Sequence, residues 1–244
     1  MASPEILYLI VARGGSKGLP GKNLRTIAGI SLVGYKALSA RRSKYCSRLV
    51  ISTDSAEIQE DARRYGVEVP FTRPAELASD TASSNDVVLH AIEHFERREG
   101  RRYDAVMLLE PSSPFARGSD YDGAVEQFIG TQANLVVGMR EVDVSSVFHG
   151  PLGRDGSIET IINKIKTIPS NRRQDQVQEY TMNGALYLIG WDYMKEAKKI
   201  YFDENKSFGY AMDRYHSMEI ENAYDLALAE FMVERGYINS SDWF

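Results

Sequence analysis

Short apolar runs and amphipathic stretches alternate along the first half of this chain. Glu5 to Ala12 is apolar and rich in branched residues, the pattern of a strand covered on both faces. Leu32 to Tyr45 has helical spacing. Arg48 to Ser52 reads as a short strand, and Ser55 can cap a helix running to Tyr65. Glu68 to Val69 reads as a brief strand. Asn85 to Arg98 carries Val87, Val88, Ala91, Ile92 and Phe95 as one apolar stripe, which predicts a helix. Ala105 to Leu109 predicts a buried strand, Ser119 to Ile129 a helix and Leu135 to Met139 a strand. This alternation predicts an α/β fold, a Rossmann-like, mostly parallel sheet with helices on both faces.

The rhythm breaks after about residue 140. Ser145 to Arg173 holds Gly150–Pro151, Gly153 and Gly156 and shows no long helical pattern, so an insertion or β-rich arm is expected there. Ala185 to Ile189 then reads as a strand, Trp191 to Lys199 as a helix, and Asn222 to Arg235 as a last helix stopped by Gly236. No repeat or low-complexity tract interrupts the 244 residues. The expected organisation is one domain, 1–244, with 145–180 as an inserted arm.

Composition removes several function classes. The net charge of −5, from 29 basic and 34 acidic residues, gives no clustered positive field for nucleic acid. The longest apolar stretch, Ile6 to Ala12, is far short of the ~20 residues of a membrane helix. The start Met-Ala-Ser-Pro-Glu has no basic n-region. One cysteine, Cys46, permits no internal disulfide and suits a reducing compartment, so a cytoplasmic location is expected.

Ligands of such folds bind beyond the carboxyl ends of the strands. The loops 13–23, 53–55, 110–117 and 140–144 are therefore the places to seek chemistry. The first is Arg13-Gly14-Gly15-Ser16-Lys17-Gly18-Leu19-Pro20-Gly21-Lys22-Asn23. Its four glycines let backbone N–H groups approach phosphate oxygens. Arg13, Lys17 and Lys22 add three cations within ten residues of an acidic chain. A triphosphate, with about four negative charges, needs that combination. The loop is neither a Walker A motif nor a dinucleotide fingerprint, because Ser16 and Asn23 stand where those patterns need glycine and Ser/Thr. Asp86, His90 and His94 share a helix face but lack a third zinc ligand in the zincin pattern. No Gly-x-Ser-x-Gly elbow supports a hydrolase.

The loop resembles that of the CMP-sialic acid synthetases, the N-acylneuraminate cytidylyltransferases, whose first strand ends in Ala-Arg-x-Gly-Ser-Lys-Gly followed by Lys-Asn. The resemblance runs over most of the chain. Ser52-Thr53-Asp54-Ser55, Arg73-Pro74-Ala75-Glu76-Leu77-Ala78-Ser79-Asp80, Leu108-Leu109-Glu110-Pro111-Ser112-Ser113-Pro114, and Arg173-Gln174 with Tyr180 and Asn183-Gly184-Ala185-Leu186-Tyr187 are similar to that family's blocks, in the same order.

The resemblance implies a cytidylyltransferase of the nucleotide-diphospho-sugar transferase fold. Such an enzyme moves CMP from CTP to the anomeric hydroxyl of a nine-carbon keto sugar acid of sialic type, releasing pyrophosphate. It implies Mg²⁺, replaceable by Mn²⁺, and a homodimer built through the arm. By match, Arg13, Lys17, Lys22 and Arg173 would be catalytic. Gly14, Gly15, Ser16, Asn23, Arg73, Ser83 and Ser84 would hold the nucleotide. Glu110, Pro111, Ser112, Ser113, Gln174, Tyr180 and Asn183 would line the acceptor pocket. Glu219 and Glu221 would ligate the metal from alternate positions of an extended segment.

Two departures stand out. Glu110 replaces the family's usual glutamine, and Glu219/Glu221 replace its aspartate pair. The first keeps open another acceptor: legionaminate, pseudaminate, an eight-carbon keto acid or a phosphonate. The second keeps open a non-catalytic CTP-binding relative.

Overall fold

The computed structural model describes residues 3–170 and 172–243, with backbone alone at positions 173 and 240. Strand β1 (Ile6–Val11) lies between β4 (Cys46–Ser52) and β5 (Ala105–Leu109), parallel to both. Beyond β5 come β7 (Tyr180–Gly190), β6 (Leu135–Glu141) and β8 (Ser207–Ala211), giving the order β4-β1-β5-β7-β6-β8. β7 pairs antiparallel with both neighbours, and β6 pairs parallel with β8. One strand in six therefore runs against the rest, and the predicted mostly parallel α/β sheet is what the chain forms. A small antiparallel hairpin of β2 (Thr26–Ile27) and β3 (Ile30–Ser31) stands apart.

The alternation of side chains along β1 builds two cores. Ile6, Tyr8 and Ile10 pack against Val33, Ala37 and Ala40 of α1 (Leu32–Arg41) and Tyr121, Ala124 and Val125 of α4 (Gly118–Thr131). Leu7 and Leu9 face the other way, onto Val88, Ala91 and Ile92 of α3 (Ser84–His94) and Trp191 and Met194 of α6 (Trp191–Ala197). Burying each of these side chains contributes about 1.5–3 kcal/mol, which explains why β1 is apolar at every position. Helix α2 (Ala56–Arg64) starts at Ser55, whose hydroxyl accepts from Ile58 N at 3.4 Å, as its sequence suggested. Helix α7 (Ala223–Glu234) starts with a reciprocal cap: Asn222 accepts from Tyr224 N, and Asp225 accepts from Asn222 N.

Three sequence expectations change. Between β6 and β7 the described residues form no strand. The segment carries short helical turns at Ser146–Phe148 and Arg173–Asp175 and a short helix α5 (Glu159–Ile165), so the arm is helical and irregular, not β-rich. Lys164 Nζ holds it folded by donating to the carbonyls of Ser146 and His149. Strand β7 begins five residues earlier than the apolar run, because its first half pairs Thr181 and Met182 with Arg140 and Met139 on an exposed ribbon. Strand β8 had no clear sequence signal; Ser207, Gly209 and Ala211 give it little apolar pattern. No helix among the described residues is long and apolar enough to cross a membrane.

Candidate active site

The parallel strands β1, β4 and β5 end at one edge of the sheet, and a cleft of about 420 Å³ opens there. The glycine-rich loop after β1 forms one wall. Arg13, Ser16, Lys17, Lys22 and Asn23 all line it. Asn23 is buried and donates its side-chain amide to the Arg13 carbonyl at 2.9 Å, closing the loop on itself. Gly14 and Gly15 are exposed and lie outside the cleft lining. Gly14 N donates to Asp54 Oδ1 at 2.9 Å, which fixes the loop against the end of β4.

A second wall comes from the segment after β4. Arg73 is buried, with its guanidinium donating to the hydroxyl and carbonyl of Ser52. Burial pulls Arg73 down to about 10, and the nearby Arg13 acts in the same direction. Asp80 accepts from Arg13 at 2.8 Å and is paired with Lys17 at 2.6 Å. Those two cations hold its carboxyl below the ordinary carboxylate range. Ser84 lines the cleft. Ser83 does not: its hydroxyl accepts from Asn85 N at 3.0 Å and caps α3.

The third wall is the turn after β5. Glu110, Pro111 and Ser112 line the cleft beside Lys22 and Glu221. Ser112 O accepts from Ile220 N at 2.7 Å, so the segment before α7 is tied to this turn. Ser113 is fully buried, outside the lining, and its Oγ has no hydrogen-bond partner. Burial raises Glu110 to about 7, with Glu219 and Glu221 acting in the same direction and Lys36 and Lys22 opposing.

The expected acidic pair is divided. Glu221 lies on the cleft wall, 3.1 Å from Lys22 Nζ. Glu219 lies outside the lining, and its Oε1 accepts from Gly184 N at 2.9 Å. The residues run as an extended segment without a strand partner, so no pleat forces the two carboxylates onto one face. Among the described residues no group of three or more His, Cys, Asp or Glu side chains is arranged to hold a metal. Of the carboxylates lining the cleft, Glu221 best fits a hydrated hard cation, because its side chain is 66% exposed against 46% for Asp80, which Arg13 and Lys17 already hold.

Of the block expected to complete the acceptor pocket, Gln174, Tyr180 and Asn183 are not brought to the cleft. Gln174 is exposed on the arm, and the Arg173 side chain lies outside the described residues. Tyr180 is exposed at the start of β7. Asn183 is buried, accepting from Ala185 N at 3.0 Å and donating to Met212 Sδ at 3.6 Å. It braces the bend of β7 beside Gly138 instead of facing the cleft. His90 and His94 pack on Phe71, at 4.8 and 4.7 Å between ring centres, which fits a structural role.

Sequence reasoning missed Lys36. It is fully buried in α1, where Leu32, Val33 and Ala37 give only apolar spacing, and one lysine in that stripe was the available signal. Its Nζ donates to Ala185 O at 2.7 Å and to Tyr121 OH at 3.3 Å.

A family model described as Cytidylyltransferase matches residues 7–147, more than half of the chain, and spans the loop, the Arg73 segment and the Glu110 turn. The chain belongs to the cytidylyltransferase family. It is a nucleotidyltransferase of the CMP-sialic-acid-synthetase type, as the sequence resemblance implied. It is 30% identical over 239 residues to post-translational flagellin modification protein B of Campylobacter coli, covering 98% of this chain and 99% of that one. It is 32% identical to CMP-N,N'-diacetyllegionaminic acid synthase of Legionella pneumophila, covering 94% and 97%. Among solved structures, it superimposes on a CMP:2-keto-3-deoxy-manno-octonic acid synthetase complexed with CTP with a TM-score of 0.69 at 14% identity, over 95% of this chain and 99% of that one. That likeness supports the nucleotide-diphospho-sugar transferase fold.

Proposed function

We propose that this cytidylyltransferase uses CTP to activate a nine-carbon keto sugar acid of the legionaminate or sialic type. The observation that carries the reading is the meeting, in one cleft, of the loop cations Arg13, Lys17 and Lys22 with the Glu110–Ser112 turn. The cations match a triphosphate. The turn offers a carboxylate and a hydroxyl, which suit the hydroxyls and amide N–H groups of a sugar. A relative named for diacetyllegionaminate matches nearly its full length, which supports an acceptor of that class over plain N-acetylneuraminate. The carboxylate of Glu110, where the family usually has glutamine, supports the same choice.

In the reaction the anomeric oxygen forms a bond to the α-phosphorus of CTP. The bond from that phosphorus to the β-phosphate bridging oxygen breaks, and pyrophosphate leaves. The hydroxyl proton passes to solvent or to a carboxylate of the cleft. Arg13, Lys17 and Lys22 hold the phosphates and neutralise charge on the leaving group. Arg73 and Ser84 border the nucleotide side of the cleft. Glu221, with water and phosphate oxygens, would hold Mg²⁺ or Mn²⁺, which when bound draws charge from the phosphates. CTP as donor fits a cytoplasmic enzyme with one cysteine.

The arm supports a homodimer. Val177 and Tyr180 on it, and Met182 beside them at the start of β7, are exposed apolar residues, at 85%, 46% and 49%. Arg173 and Gln174 sit on the same arm, so a second copy is the natural route by which they reach an acceptor.

Pyrophosphate release from CTP and Mg²⁺ tests the reading, with N,N'-diacetyllegionaminate, pseudaminate and N-acetylneuraminate offered separately. Release with the first supports it. Release only with N-acetylneuraminate moves the acceptor and leaves the chemistry. CTP binding without release for any acceptor turns the chain into a non-catalytic relative.

A further inference from the structure

The cleft rests on a buried polar cluster of which the reaction outlined above uses only Glu110. Glu110 and Glu219 approach each other at Gly184. A Cβ placed on Gly184 would stand 2.5 Å from Glu110 Oε2, 3.2 Å from Ser113 Oγ and 3.3 Å from Glu219 Oε1. Three oxygens from two segments, the turn after β5 and the stretch before α7, therefore surround one backbone position, and no side chain fits there. The same backbone is held on both sides. Gly184 N donates to Glu219, Glu110 N donates to Gly184 O at 3.3 Å, and Lys36 Nζ donates to Ala185 O from below.

Two carboxylates side by side in a poorly hydrated place repel each other unless a cation or a proton intervenes. Lys36 is fully buried, and Glu110, Glu219 and Asp120 act on it favourably through space. Its other contacts, Tyr121 OH and the Ala185 carbonyl, are neutral. Lys22, the other lysine near Glu110, is already engaged by Ile220 O and Glu221.

We propose that Lys36 is a positioning residue for the acceptor wall: from beneath the sheet it ties down the Gly184–Ala185 backbone against which the Glu110 and Glu219 carboxylates rest. Lys36 never touches substrate and acts through Glu110. This rests on the reading of the Glu110 turn as the acceptor side of the cleft. Burial supports the cost of the arrangement, since it pulls Lys36 down to about 7. An ordinary helix position would carry an apolar residue there at less expense.

The test is a double-mutant cycle on the full chain, read by pyrophosphate release at neutral pH with saturating CTP and varied acceptor. Wild-type turnover with N,N'-diacetyllegionaminate or N-acetylneuraminate comes first; none with either removes the acceptor reading itself, before any variant is made. Given turnover, Lys36→Met is expected to lower acceptor kcat/KM about tenfold or more while KM for CTP stays within about twofold. In a Glu110→Gln background the same change is expected to cost less than about threefold, because the carboxylate that Lys36 positions through the Gly184–Ala185 backbone is gone. An equal loss in both backgrounds assigns Lys36 a merely structural role and overturns the proposal, as does unchanged acceptor kinetics in Lys36→Met. If Lys36→Met does not fold, Lys36→Gln, whose shorter side chain withdraws the donor from Ala185 O while staying polar, carries the same comparison.

Discussion

Lys22 Nζ lies 2.9 Å from Ile220 O and 3.1 Å from Glu221 Oε2, so the loop after the first strand is fastened to the segment before the last helix. These residues are 199 positions apart in the case of Lys22 and Glu221. The contact joins the glycine-rich loop to Glu221, as Asp80 joins it to the segment after β4. Lys22 is nearly enclosed, with 14% of its side chain exposed, whereas Lys17 keeps 75%. The two lysines of one loop therefore differ in role: Lys22 is a fixed charge, and Lys17 is held only by Asp80 at the surface.

Lys22→Met should consequently cost more than Lys17→Met. A fixed cation aimed at a leaving phosphate is expected to contribute on the order of 10²-fold in kcat, and a solvated one less. Steady-state pyrophosphate release for both variants measures the difference. Equal losses would mean that enclosure of Lys22 has no bearing on the transition state.

Gly18 gives a second test of the same junction. A Cβ there would stand 2.5 Å from the Glu221 carbonyl oxygen, a backbone atom that cannot swing aside. Gly18→Ala should push the loop away from the segment before α7 and misplace Lys22. We expect at least a tenfold loss in kcat/KM for CTP, with a fall in Tm of a few degrees for a chain of this size. Native kinetics in Gly18→Ala would show that the two segments part freely.

Much of this was legible in the sequence because the signals were local. The apolar run 6–12, the cap at Ser55 and the glycine and cation pattern of 13–23 each specify their own structure within a few residues. What escaped depends on distant partners. Lys36 looks like a surface lysine until Ala185 and Tyr121 arrive from elsewhere in the chain. Glu219 and Glu221 look like a matched pair until Gly184 takes one and Lys22 the other. Ser83 and Asn183 share motifs with functional neighbours, yet Ser83 spends its hydroxyl on local backbone and Asn183 divides its amide between Ala185 N and Met212 Sδ. The arm escaped for another reason: its helix α5 is only seven residues long, too short for a periodic signal.

The division of the acidic pair predicts unequal metal effects. Glu221→Gln removes the carboxylate on the cleft wall and should raise the Mg²⁺ concentration needed for half-maximal activity by about tenfold. Glu219→Gln should shift that requirement by less than about twofold and reveal itself instead as lost stability, because a buried Gly184 N–H loses a charged acceptor. Magnesium titrations of the two variants and their urea midpoints separate the effects. Equal metal shifts would restore the pair as joint ligands.

Glu110 makes stability depend on pH in a stated direction. Its carboxyl rises from an ordinary 4.5 to about 7 in the folded chain, first through burial and then through Glu219. Between those values the folded state holds more proton than the unfolded one, so the group costs stability progressively as pH rises from 4.5 to 7, and the full cost is present above 7. A shift of that size corresponds to about 3 kcal/mol as an upper bound. Glu110→Gln removes the titration. The variant should be more stable than wild type by about 1–3 kcal/mol at pH 8, and the difference should fall to about a quarter of that at pH 5, where the folded wild-type carboxyl already carries its proton. Lys36 titrates the opposite way: lowered from 10.5 to about 7, it costs stability below 7 and releases that cost as pH rises toward 10.5. At pH 8 it is largely neutral in both proteins, so it does not mask the comparison. Urea unfolding at pH 5 and pH 8 measures the two differences directly. A gain of the same size at both pH values would place the Glu110 carboxyl in ordinary solvent, and with it would go the buried cluster beneath the cleft.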